Sequence, residues 1–86
     1  MRLWGKIIKE NRLVRDIVIE TAGDDTRTHK ILYSLSEICQ ALDLEVPIWL
    51  DTNIADFKRA SKTRFTQDSF IEQIGFDALE IEVIEE

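Results

Sequence analysis

An α+β fold is predicted for this chain: an N-terminal β-hairpin and a C-terminal strand in a small, mainly antiparallel sheet, with one long and two short helices packed on it in the order ββα(β)ααβ. Three observations carry the prediction. Two apolar, β-branched runs flank Lys9-Glu10-Asn11-Arg12, a single apolar stripe at helical spacing runs from Ile31 to Leu42, and Leu79, Ile81 and Val83 alternate with Glu80 and Glu82. A chain of 86 residues with 44% hydrophobic and 33% charged composition, three glycines and one proline reads as one folded domain spanning residues 1–86. At this size the core is close to the minimum for independent stability, so self-association or a partner is expected to supply part of it.

The hairpin covers Arg2 to Glu20. A two-residue loop alone would set Lys6 opposite Arg15, whereas a three-residue loop over Glu10, Asn11 and Arg12 pairs Lys6 with Asp16, Arg2 with Glu20 and Trp4 with Val18. Opposite charges and an aromatic beside a β-branched residue favour the second register. In it Leu3, Ile7, Leu13, Ile17 and Ile19 point to one face and Trp4, Ile8, Val14 and Val18 to the other. The second face is then either covered by other elements of the chain or open to a partner.

Asp24 and Asp25 are N-cap candidates for the first helix, whose stripe of Ile31, Leu32, Leu35, Ile38, Cys39 and Leu42 runs to about Asp43-Leu44. Val46-Pro47-Ile48-Trp49-Leu50 is expected as an edge strand or a buried extended connector, because Pro47 lacks a ladder donor. Asp51, Thr52 or Asn53 should cap a short helix to about Ala60 with Ile54 and Phe57 inward, and Thr66 to Ile74 should form another, closed by Gly75 and stapled by Phe65 and Phe70. The acidic C-terminal strand is expected at a sheet edge, where repulsion discourages self-pairing. Trp49 is assigned to the core, while Trp4 is open between core and interface.

Net charge is −6, which disfavours general attraction to nucleic acid or anionic lipid. The layout is uneven: residues 37–57 hold five acids and no base, 58–64 hold four bases and no acid, and 65–86 hold seven acids and no base. Lys58, Arg59, Lys62 and Arg64, with Phe65 for stacking, therefore form a candidate nucleic-acid or anion-binding segment. The same cations would also complement the dipole at the end of a helix.

Catalytic chemistry finds little support. The single thiol, Cys39, lies on the apolar stripe, where cysteine packs as a small hydrophobe. One histidine, His29, near a helix start, would have to work with carboxylates such as Asp25 or Asp51. One Cys and one His are too few for a structural zinc site, no calcium-loop pattern occurs, and the dispersed Gly5, Gly23 and Gly75 make no phosphate-binding turn. No metal, cofactor, catalytic residue or small-molecule ligand is expected. A lone cysteine, no secretory leader pattern and no apolar run approaching the roughly 20 residues of a membrane span predict a cytoplasmic, non-membrane location.

The segments Met1-Arg2-Leu3-Trp4-Gly5-Lys6-Ile7-Ile8, Asp25-Thr26-Arg27-Thr28-His29-Lys30, Pro47-Ile48-Trp49-Leu50-Asp51, Lys62-Thr63-Arg64-Phe65 and Leu79-Glu80-Ile81-Glu82-Val83 resemble a group of short bacterial proteins of uncharacterised function. The resemblance spans nearly the whole chain and implies a self-contained bacterial domain, with no catalytic residue carried over. The function expected from these readings is non-enzymatic binding to another protein or to a second copy through Trp4, Ile8, Val14 and Val18. The alternative is nucleic-acid binding through residues 58–65.

Overall fold

The computed structural model describes residues 1–86 and contains four strands, two helices and one 3-10 turn. Strands β1 (Arg2–Lys9), β2 (Arg12–Glu20), β3 (Lys62–Phe65) and β4 (Ala78–Glu85) form one antiparallel sheet in the order β2-β1-β4-β3. Helices α1 (Arg27–Ala41) and α2 (Asp51–Ala60) lie on one face.

The hairpin register is the predicted one, with Arg2 opposite Glu20, Trp4 opposite Val18 and Lys6 opposite Asp16. Its loop differs. Lys9 pairs with Arg12, and Glu10 and Asn11 both adopt positive φ, 53° and 63°, as a two-residue type I′ turn requires. The predicted pairing survives because Ile7 faces Arg15 while Ile8 faces Leu13, leaving Val14 as the extra residue of a β-bulge. Leu13 is thereby moved to the row of Ile8, away from the core face on which it was expected.

The core side of the sheet carries Leu3 and Ile7 from β1, Leu79 and Ile81 from β4 and Phe65 from β3. Against them pack Ile31, Leu35, Ile38, Cys39 and Leu42 of α1 and Phe57 of α2. Burial of each such large side chain is worth about 1.5 to 3 kcal/mol. Gly5 is the point of closest approach: Ile38 of α1 occupies the space a side chain at position 5 would need.

Local chemistry explains where elements begin and end. Thr26, rather than Asp24 or Asp25, caps α1, its hydroxyl accepting from the His29 amide at 3.1 Å. Asn53 fixes the start of α2 by accepting from the Leu50 amide at 3.0 Å, and its buried amide donates at 2.9 Å to both Thr63 Oγ1 and the Arg64 carbonyl. After α2, Ser61 takes a left-handed conformation with φ 54°, which reverses the chain directly into β3.

Two expectations are corrected and one alternative is resolved. Residues 66–74 hold only a 3-10 turn, Gln67–Ser69, so the helices number two and not three. The Gln67 side chain instead ties down an irregular loop, donating to the Glu72 carbonyl at 2.8 Å and accepting from the Ile74 amide at 2.9 Å. The acidic β4 is interior, and β2 and β3 are the edges. Residues 46–50 form no strand: Pro47 is buried, the Ile48 amide donates to the Ser69 carbonyl at 2.7 Å, and the segment is an extended connector. No helix is long and apolar enough to cross a membrane.

Candidate functional site

Neither helix covers the second face of the sheet, and cross-strand pairing orders it into rows. One row crosses all four strands as Asp16, Lys6, Glu80 and Arg64; the next reads Val18, Trp4, Glu82 and Lys62; a third holds Leu13, Ile8 and Ala78. Charge alternates along the first row. Lys6 Nζ lies 2.7 Å from Glu80 and 2.9 Å from Glu82, and Arg64 Nε lies 2.8 Å from Glu80. The Lys6 and Glu80 side chains are only 10% and 7% exposed although no other element lies over them. The Trp4 ring lies against Lys6, its centroid 4.0 Å from Lys6 Nζ and its Nε1 donating to Asp16 at 2.9 Å, while Lys6 and Arg64 flank Glu80.

This network sets the titration of its members. Burial alone would raise the Glu80 carboxyl, but hydrogen bonds and charge from Lys6 and Arg64 outweigh it and hold Glu80 below its ordinary 4.5. Burial likewise pulls Lys6 down, and its two carboxylate partners more than reverse this, leaving it above 10.5.

The four hairpin candidates are brought together in part. Trp4 and Val18 are direct neighbours, Ile8 lies in the row of Leu13, and Val14 is the bulge residue beside them; Val14, Val18 and Leu13 are exposed. The basic segment is divided. Lys62 and Arg64 join the open sheet face, whereas Lys58 and Arg59 sit on α2 on the opposite side. Arg59 is paired with Asp56 at 3.0 Å and Arg64 with Glu80. Phe65, expected as a stacking residue, is fully buried, because strand alternation turns Thr63 and Phe65 into the core when Lys62 and Arg64 face out. Trp49 packs edge-on against Phe57 and Phe65, with centroids 5.6 and 5.0 Å away.

His29 and Asp25 do meet, at 2.9 Å, but both side chains are more than half exposed beside the helix cap, and Asp51 lies at the start of α2. Contact with His29 holds the Asp25 carboxyl below its usual range. Cys39 is buried, and burial pushes its thiol up to about 11. An aromatic disulfide reagent should therefore leave the folded protein unlabelled and react once denaturant is added; prompt labelling of the native protein would contradict that burial. No group of three or more His, Cys, Asp or Glu side chains is placed to hold a metal ion.

Sequence reasoning also missed a cleft. A cleft of about 260 Å³ opens between α1 and α2, floored by Ile31, Leu32, Trp49, Ile54 and Phe57 and edged by Arg27 and Lys58. Ile54, expected inward, and Leu32, expected on the packed stripe, are 42% and 47% exposed because they form its walls. No protein-family model, curated protein or solved structure matches this chain.

Proposed function

We propose that this is a non-enzymatic binding domain that associates with a second copy of itself through the open face of its sheet, with Trp4, Ile8, Val14 and Val18 in the contact. The observation carrying the reading is the sign order of the row Asp16, Lys6, Glu80, Arg64. Strands in a sheet are evenly spaced by about 4.8 Å. A two-fold axis along the midline between β1 and β4 therefore sets Asp16 of one copy over Arg64 of the other, and Lys6 over Glu80. Every charge of that row meets its opposite, as a self-complementary interface requires. In the neighbouring row the aliphatic stem of Lys62 covers the exposed Val18. A small domain with this much apolar surface on an uncovered face gains most from such burial.

Nucleic-acid binding draws less support from the geometry. Its four cations are split between two sides of the domain, two are held by carboxylates, and the stacking residue is inaccessible.

The test is a charge exchange read by light scattering. The unaltered protein is expected to run as a dimer, while Asp16→Arg and Arg64→Asp, each folded by circular dichroism, run as monomers. An equimolar mixture of the two variants should recover the dimer, because each copy then offers what the other lacks. A monomeric parent protein, or a mixture that stays monomeric, rejects the proposal.

A further inference from the structure

We propose that the cleft between α1 and α2 is a binding site for a small amphipathic carboxylate, with an acyl or aryl body on the apolar floor and the carboxylate at the rim between Arg27 and Lys58. The site lies on the side of the sheet opposite the proposed dimer surface and does not depend on that reading.

Charge is the first argument. The chain carries seventeen acids against eleven Lys and Arg, yet the cleft lining holds two cations and no carboxylate. Lys58 makes no ion pair, although the other cation at the end of its helix, Arg59, is taken by Asp56. Arg27 is fixed rather than free: Nε and Nη2 bind the Glu86 carboxylate at 3.1 and 3.2 Å, Nη2 also donates to Ser61 Oγ at 2.9 Å, and the guanidinium lies 5.6 Å from the Phe57 ring centroid. Its Nη1 makes no hydrogen bond to the protein, so a held guanidinium retains donors for an incoming anion. Thr28, on the same rim, adds a hydroxyl.

Shape and polarity are the second. The floor is two aromatic rings and three aliphatic side chains, of which Leu32 and Ile54 are about half exposed and would lose that exposure under a ligand. At about 260 Å³ the cleft falls just below the range of about 300 to 1,000 Å³ typical of drug-sized ligands, which suits a short acyl chain or a single ring. An apolar floor that ends at one unpaired ammonium, Lys58, and a guanidinium with a free Nη1 selects a ligand with an apolar body and one anionic end, and gives a neutral analogue only half of the site.

Sodium octanoate, with octan-1-ol as its neutral analogue, tests this in two-dimensional amide NMR of the full chain. Octanoate should give saturable shifts confined to the amides of residues 27–32 and 54–58 and to the Trp49 indole. Octan-1-ol should bind at least fivefold more weakly, and Lys58→Ala should weaken octanoate by a similar factor while leaving octan-1-ol unchanged. Ile54→Asp, at an exposed position, should abolish both. The proposal is overturned if octanoate gives no saturable shift, if the shifts fall on the sheet face, or if octan-1-ol binds as well as octanoate and Lys58→Ala changes nothing.

Discussion

Gly5→Ala is expected to destabilise the domain by about 2 kcal/mol, within the range for overpacking a close-packed core. The alanine Cβ would lie 2.5 Å from Ile38 Cγ2 and 3.0 Å from Cδ1. Ile38 is fully buried and β-branched, so it has no second rotamer with room to move into. Either α1 lifts from β1 or the strand bends, and both expose core. The urea midpoint should fall with little change in slope, and Gly5→Val should fall further. Truncating the opposing residue reverses the sign: in an Ile38→Ala background the space is vacant, and Gly5→Ala should then be neutral or stabilising, since glycine inside a strand costs about 0.5 to 1 kcal/mol relative to alanine. A full penalty in that background would place the cause in the backbone and refute the steric account.

Lys6→Met should cost about 3 kcal/mol at neutral pH, the lower end for breaking a buried ion pair, because the face is open to solvent. Methionine keeps the length of the stem, but Glu80 and Glu82, which converge on one ammonium, are left facing each other. The pH dependence separates this from lost packing. In the parent protein Glu80 titrates below 4.5 when folded, so its contribution is present above that value and is lost as pH falls through the folded pKa. Lys6 titrates above 10.5, so its contribution is complete below 10.5 and is lost as pH rises through the raised value. Stability from the network is therefore a plateau between these limits. In Lys6→Met, Glu80 loses the partner that offsets most of its burial and keeps only Arg64, so its carboxyl rises relative to the parent and the variant should lose less stability than the parent as pH falls through the acid limit. Parallel pH profiles for the two proteins would sink the explanation.

The hairpin register was readable because charge and size choose between alternatives that differ by one residue. Lys6 beside Asp16 and Trp4 beside Val18 fix the pairing whatever the loop does, and a bulge at Val14 absorbs the difference. The first helix was readable from its stripe, although the stripe could not distinguish Ile31, which is buried, from Leu32, which is half exposed at the cleft. That distinction depends on where α2 lies. Strand β3 was hidden by its length of four residues and by its position directly after a helix, where Lys62 and Arg64 read as helix-terminal cations. Its alternation of Thr63 and Phe65 with those cations was the available signal. In place of the helix expected over 66–74, the Gln67 side chain accepts from the Ile74 amide and donates to the Phe70 carbonyl, the two groups that a helix would have paired with each other. Of the open face, the hairpin half was legible. Its continuation into Glu80, Glu82, Lys62 and Arg64 was not, since strand order is decided by packing between distant segments.

Strand order also fixes the sequence in which the sheet can assemble. β1 and β2 are joined by a two-residue turn and can pair within microseconds. The partner on the other side of β1 is β4, with Leu3 opposite Val83 and Ile7 opposite Leu79, and β3 reaches the sheet only through β4. Closing so long a loop carries an entropy cost that must be met before its contacts form, which slows folding relative to a chain of local pairings. During synthesis β1 is made first and β4 last, so one edge of β1 waits unpaired while nearly the entire chain emerges, and Lys6 waits with Asp16 as its only cross-strand acid. Until β4 docks, that edge of β1 stays open to pairing by another strand, so the arrival of β4 is the step that closes the sheet.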